Sequence, residues 1–192
     1  MAVGRRSRNT LALAVLGLLM EQPSHPYEMA QRLRERNKET SFKVTTGSLY
    51  DVVEGLERDG WIRAVEIVRD GNRPERTVYE YTELGLAEFQ KWIDELIRVP
   101  VNEYPKFIAA VSYVGVLGVE GAVAALTERA DRLEESVRQT DDQLKGITLR
   151  RLFMIEVEYA QAMRRAEVEW LRQAAAEMTA GTIAWPKPGE EQ

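Results

Sequence analysis

The chain of 192 residues contains no cysteine and one histidine. Without thiols there is no disulfide framework, no thiolate nucleophile and no Cys-ligated zinc, and a reducing compartment is compatible. His25 alone cannot build a histidine metal site or a Ser-His pair. There is also no glycine-rich phosphate loop, no HExxH pair and no internal repeat. The carboxylate pairs Glu134-Glu135, Asp141-Asp142 and Glu156/Glu158 sit in helical patterns and read as solvated faces. The apolar run Leu11 to Met20 has ten residues, about half of what a bilayer crossing needs. These absences argue against an enzyme and imply no metal, no cofactor and no membrane partner.

The composition that remains is that of a globular protein. With 44% hydrophobic residues, the chain can bury a real core and has room for one small domain plus an appended helical module. Its net charge of −5 is uneven: residues 1–76 carry 13 Lys+Arg against 11 Asp+Glu, a balance of +2, which leaves −7 for the remainder. A nucleic-acid surface requires locally favourable charge rather than a basic total, so the first 76 residues are the candidate half.

Gly4-Arg-Arg-Ser-Arg8 followed by Leu11 to Met20 imitates a secretory leader, but Glu21-Gln-Pro-Ser-His-Pro26 offers no small-residue cleavage site. The run is expected to be a buried first helix capped by Asn9 or Thr10, in a cytoplasmic protein. The basic arm Arg5, Arg6, Arg8 reads equally as a phosphate contact or a solvated terminus. A second helix is expected from Pro26, a favoured first-turn residue, with Glu28 near its positive end and His25 as an exposed cap.

The segment Lys43-Val-Thr-Thr-Gly-Ser-Leu-Tyr-Asp-Val-Val-Glu-Gly-Leu-Glu-Arg-Asp-Gly-Trp-Ile62 carries most of the functional signal. Leu49, Val52, Val53 and Leu56 recur at the spacings of one helical face, Thr46, Ser48, Tyr50 and Asp51 gather at the amino end, and Gly60 supplies a left-handed stop. A helix held by its apolar side with small hydroxyls and a phenol at its start suits the major groove. Trp61 to Arg69 and Arg76 to Thr82 then read as two strands around the turn Asp70-Gly71-Asn72, with Tyr79 and Tyr81 on one face and Val78 and Glu80 on the other. The tip carries Arg69, Arg73 and Arg76, suited to phosphates. Helix, helix and hairpin in this order form a winged helix-turn-helix.

Leu11 to Met20, Pro26-Tyr27-Glu28, Ser48-Leu49-Tyr50, Leu56-Glu57-Arg58-Asp59-Gly60-Trp61-Ile62 and Arg76-Thr-Val-Tyr-Glu-Tyr-Thr-Glu-Leu-Gly85 together resemble the PadR family of bacterial transcriptional regulators, over about the first half of the chain. The resemblance implies a repressor with a helical C-terminal dimerisation region, as in the longer subgroup. The family pattern places proline after the tyrosine where this chain has Asp51. A carboxylate there is repelled by phosphates unless it caps the helix or accepts from a cytosine amino group.

The second half changes character. Thr82 to Ile97 is expected to be a helix with Leu86, Phe89, Trp92, Ile93 and Leu96 as its stripe, interrupted by Pro100 through Pro105. Val119, Val123, Leu126, Ala130, Leu133, Val137, Thr140, Leu144 and Ile147 follow alternating four- and three-residue steps, a coiled-coil-like seam. A last helix is expected from about Thr148 to Met178. Its apolar face, with that seam, points to association with a second copy, the alternative being an intrachain hairpin packed on residues 104–117. Beyond residue 180 there is no periodicity; Trp185 either docks or is exposed.

The expected architecture is therefore mainly α with a small β-hairpin wing: a winged helix-turn-helix domain over 1–98, a long-helix dimerisation module over 99–180 and a flexible tail over 181–192. Lys43, Thr45, Thr46, Ser48 and Tyr50 are the candidate groove residues, with Arg69, Asn72, Arg73 and Arg76 on the wing, for double-stranded DNA. Val123, Leu126, Leu133, Val137, Leu144, Trp170 and Leu171 are the candidate homodimer contacts. Trp92, Phe107 and Tyr159 lie in segments that could line a cavity for a small aromatic effector, although aromatics at helical spacing usually fill cores. A ligand sensor or protein-interaction scaffold whose winged domain leaves DNA alone is the competing reading.

Overall fold

A computed structural model describes residues 9–36, 46–68 and 76–185 of the chain. They fall in two compact units, Met1–Asn102 and Glu103–Gln192.

The first unit contains α1 (Thr10–Leu19), α2 (Pro26–Glu35), α3 (Thr46–Arg58), β1 (Ile62–Val68), β2 (Arg76–Tyr81) and α4 (Glu83–Arg98). The Asn9 side chain accepts from the Ala12 N–H and caps α1, as the sequence predicts. Leu11, Ala12, Ala14, Val15, Leu16, Leu18 and Leu19 are all buried, so α1 is apolar nearly all round and forms the centre of the unit. Around it pack Met29, Ala30 and Leu33 of α2, Leu49, Val52, Val53 and Leu56 of α3, then Trp61, Ile62 and Trp92. The stripe read from the sequence of α3 is thus its buried face.

The two strands pair antiparallel, with Ile62 opposite Tyr81 and Val68 opposite Arg76, and the register shifts between Ala64 and Glu66. Tyr79 and Tyr81 both pack against the core, sharing one face as the alternation predicts. Arg63 lies directly across from Glu80 and donates to its Oε1 from Nε and Nη2, at 2.8 and 2.6 Å. Ser24 adds a one-residue third strand: its N–H donates to the Tyr79 carbonyl at 3.0 Å and its carbonyl accepts from the Tyr79 N–H at 3.1 Å.

The second unit contains α5 (Lys106–Val111), a 3-10 turn at Val114–Leu117, α6 (Gly118–Leu144), a 3-10 turn at Arg151–Phe153 and α7 (Ile155–Thr179). The last helix begins at Ile155, later than the expected Thr148. Gly146 turns the chain at φ +82°, Arg150 is extended at ψ 136°, and Arg151 reaches forward to Glu158. The seam closes within one chain: Ala122, Leu126 and Ala130 of α6 are buried with Leu171, Ala174, Ala175 and Met178 of α7. Leu126 and Leu171, expected at a subunit contact, are therefore covered without a partner, because two antiparallel stripes of four-three spacing satisfy each other first. Val119, Val123, Leu133, Ile183 and Trp185 pack on this cluster half-buried, so Trp185 is docked on the helical unit.

Polar contacts run alongside that seam. Gln161 is 3% exposed, and its Nε2 donates to the Val137 carbonyl and to Asp141 Oδ1. Arg165 pairs with Asp141, and Arg172 with Asp131 and Glu134. Buried amide and partners are thus satisfied, which fixes the register of α6 on α7.

Candidate nucleic-acid interface

The amino-terminal turn of α3 begins at Thr46 and has no acidic residue. The helix dipole makes this end positive, the usual arrangement for receiving an anion. Leu49 is fully buried behind it, and Ser48 is half-buried. Tyr50 is 44% exposed, so the phenol stands at the surface one position beyond the residue that anchors the helix.

Tyr50 has a neighbour that sequence reasoning assigned only a capping role. The His25 ring meets it edge-on, with centroids 6.3 Å apart and planes at 75°. His25 Nδ1 accepts the Tyr27 N–H at 3.0 Å, while the His25 N–H donates to Glu28 Oε2 at 3.3 Å, completing a reciprocal cap on α2. A ring nitrogen that accepts a backbone N–H is unprotonated, so the proton of the neutral ring is on Nε2. Burial, then the nearby Arg76 cation, holds the His25 pKa below its ordinary value, against the opposing pull of Glu28.

Arg76 is the first residue of β2 and is half-buried beside this cluster. The Ser24–Tyr79 bridge explains its placement: two backbone hydrogen bonds fasten β2 to the connection between α1 and α2, one residue before His25. Tyr79 also pairs its hydroxyl with Glu57 of α3, and burial together with the Glu57 and Glu54 carboxylates pushes its phenol above the usual range. Wing, α2 start and α3 are thereby tied into one surface carrying Ser48, Tyr50, His25 and Arg76. Asp51, Glu54 and Glu57 are exposed on α3, so favourable charge for a phosphate lies toward the start of that helix and the base of the wing.

Of the other expected groove and wing residues, Lys43, Thr45, Arg69, Asn72 and Arg73 lie outside the described residues, and Thr46 is placed as the first residue of α3. Trp92 is buried in the core of the first unit, its ring edge-on to Trp61 at 6.4 Å. Phe107 lines a cavity of about 410 Å³ within the helical unit, together with Ile108, Val111, Arg129, Glu167 and Trp170. Tyr159 is exposed on α7. Val123, Leu133, Val137 and Leu144 are half-buried, and Trp170 is 47% exposed. The bridge at Ser24 and the Arg129–Glu167 pair were not read from the sequence: a single-residue backbone pairing leaves no periodic signal, and the two charges are 38 positions apart. Among the described residues no helix is long and apolar enough to cross a membrane.

Comparison with known proteins bears on the same surface. A probable transcriptional regulator of Mycobacterium tuberculosis, Rv1176c, is 34% identical over 82 residues, covering 43% of this chain and 42% of its own length. The match thus spans less than half of that relative. Bacillus subtilis PadR in complex with operator DNA superposes with a TM-score of 0.70 at 17% identity, over 88% of this chain and 99% of that one. The same protein in complex with p-coumaric acid gives 0.71 at 17% identity, over 89% and 99%. At that identity the likeness establishes the fold. Residues 15–91, from the middle of α1 into α4 and including every described element of the candidate interface, match the model of the transcriptional regulator PadR-like family.

Proposed function

We propose that the chain is a transcriptional repressor that binds a pseudo-palindromic operator in double-stranded DNA as a cytoplasmic homodimer, and that a small aromatic effector releases it. One observation carries the reading. The apolar side of α3 is locked in the core by Leu49, Val52, Val53 and Leu56, while its acid-free first turn presents Ser48 and Tyr50 beside His25 and Arg76. With α3 in the major groove, Thr45, Thr46, Ser48 and Tyr50 address base edges. Lys43 meets the backbone at the helix entry, and Arg69, Asn72, Arg73 and Arg76 meet flanking phosphates or the minor groove.

Two further facts support the finer parts. The helical unit exposes Tyr113 and Val116 just before α6, and Leu152 and Phe153 in the 3-10 turn just before α7, large apolar side chains near the two ends of the α6–α7 hairpin. A second copy covering such side chains would bring two α3 helices to one operator, where paired half-sites add specificity. The complexes of Bacillus subtilis PadR with operator DNA and with p-coumaric acid give precedent for both ligand classes on this fold.

Footprinting on DNA flanking the chain's own coding region, repeated over a salt series, tests the reading. A protected segment with two related half-sites is expected, with log affinity falling linearly against log salt. If no segment is protected even at low salt, the groove assignment of α3 is wrong.

A further inference from the structure

The cavity in the helical unit is apolar on most of its wall and carries one pair of opposite charges. Phe107, Ile108 and Val111 of α5 and Trp170 of α7 supply the apolar surface, and the volume of about 410 Å³ falls in the range of roughly 300–1,000 Å³ common for small-molecule sites. Phe107 meets Trp170 edge-on at 6.3 Å. The Arg129 guanidinium carbon lies over the Phe107 ring, 3.8 Å from its centroid, a cation–π contact that keeps the cation at the wall. Arg129 donates from Nε at 2.7 Å and from Nη2 at 2.6 Å, both to Glu167 Oε1. The pair thus engages one oxygen of Glu167 and two of the three nitrogens of Arg129, leaving Oε2 and Nη1 outside it. The other charge pairs described between α6 and α7, Arg165–Asp141 and Arg172 with Asp131 and Glu134, are not part of this wall.

We propose that this cavity binds a small zwitterion with an apolar side group, an α-amino acid with an aromatic or aliphatic side chain. Its carboxylate lies on Arg129, its ammonium on Glu167 and its side group against Ile108 and Trp170. The inference rests on the effector part of the proposed function and names its ligand class. Charge complementarity selects the zwitterion. A ligand bearing both charges closes a ring of four alternating charges and leaves every member paired. A monoanion of the same shape gains Arg129 but brings its carboxylate against Glu167, and a monocation meets the converse penalty, so each is disfavoured by repulsion as well as by a missing contact. An uncharged aromatic gains only the apolar walls.

Titration calorimetry on the intact chain without DNA tests the proposal, so that its failure is separable from failure of operator binding. The probes are L-phenylalanine, phenylpropionate and phenylethylamine. Saturable binding of phenylalanine is expected, with each singly charged analogue weaker by about tenfold or more. Glu167→Gln should weaken phenylalanine and strengthen phenylpropionate; Arg129→Gln should weaken phenylalanine and strengthen phenylethylamine. A merely structural ion pair would not exchange preferences in this way. Equal affinity of the wild-type chain for phenylalanine and phenylpropionate overturns the proposal. So does the absence of saturable binding by any probe to a chain with native circular dichroism. Conversion of a dimer to a monomer by Trp170→Ala, with no probe bound, would assign the groove to a second copy instead.

Discussion

Gly85 lies so close to Trp61 that a methyl group at its Cα would stand 1.9 Å from the Trp61 carbonyl oxygen. That carbonyl also accepts the Thr82 N–H at 2.9 Å, while the Thr82 hydroxyl donates to the Gly60 carbonyl at 2.6 Å and accepts the Gly85 N–H at 3.0 Å. The start of α4 is therefore built onto the end of α3, and α3, the hairpin and α4 share one joint.

Gly85→Ala should consequently destabilise the winged unit. The clash is with backbone on both sides and cannot be relieved by a rotamer change, so a loss of about 2–3 kcal/mol is expected, in the range of overpacked core positions. Denaturant unfolding followed by the near-ultraviolet signal of Trp61 and Trp92 would measure it. A change under about 0.5 kcal/mol would mean that the joint yields freely.

His25 supplies a pH dependence with a definite sign. Its pKa in the folded chain is lowered from 6.5 by burial and by Arg76, so between the two values the unfolded chain binds more protons than the folded one. The stability from the neutral, capping ring is complete above 6.5 and falls as pH drops through that value toward the folded pKa. Wild type should lose more stability than His25→Asn on going from neutral to mildly acidic pH, since asparagine caps without titrating. At neutral pH His25→Ala should cost about 1 kcal/mol. Thermal melts of the three proteins across that interval decide it, and identical pH profiles for wild type and the asparagine variant would defeat the assignment.

Arg76 and Tyr50 separate affinity from specificity. Replacing Arg76 by Ala should weaken binding to operator and random DNA alike and reduce the slope of log affinity against log salt by about one, as loss of one phosphate contact does. Tyr50→Ala should instead weaken operator binding selectively. Because its ring also packs on His25, circular dichroism must confirm an intact α2 before the loss is assigned to the groove. Anisotropy titrations with both DNAs read the two effects, and unchanged operator affinity for both variants would remove this surface from the interface.

The elements of the winged unit were legible because each has a local signature: Asn9 and Pro26 at helix starts, the stripe of α3, and alternation around the wing. What joins them was not. Ser24–Tyr79 is a contact between backbones, and the approach of Gly85 to Trp61 registers in sequence only as a glycine in a helical pattern. In the second half, the step from Val119 to Leu144 announces a seam without saying whose helix fills it, since an intrachain hairpin and a dimer bury the same spacing. The expected helix start at Thr148 failed for a related reason: apolar spacing continues through Leu152 and Phe153 although Gly146 and the extended Arg150 have already turned the chain.

That ambiguity gives the last prediction. Leu171 is fully enclosed by its own chain, whereas Phe153 is 67% exposed and Val116 is 85% exposed. Leu171→Ala should remove about 2–5 kcal/mol from the fold of the helical unit, with a lowered melting temperature at every protein concentration, because the cavity opens inside one chain. Phe153→Ser and Val116→Ser should leave the fold of an isolated chain nearly unchanged and act only on association, so that their effect appears as a dissociation on dilution. Light scattering and sedimentation over a dilution series distinguish the two classes. If both serine variants associate as wild type does, neither exposed side chain is at the interface; if the intact chain is monomeric at micromolar concentration, binding to paired half-sites loses its basis.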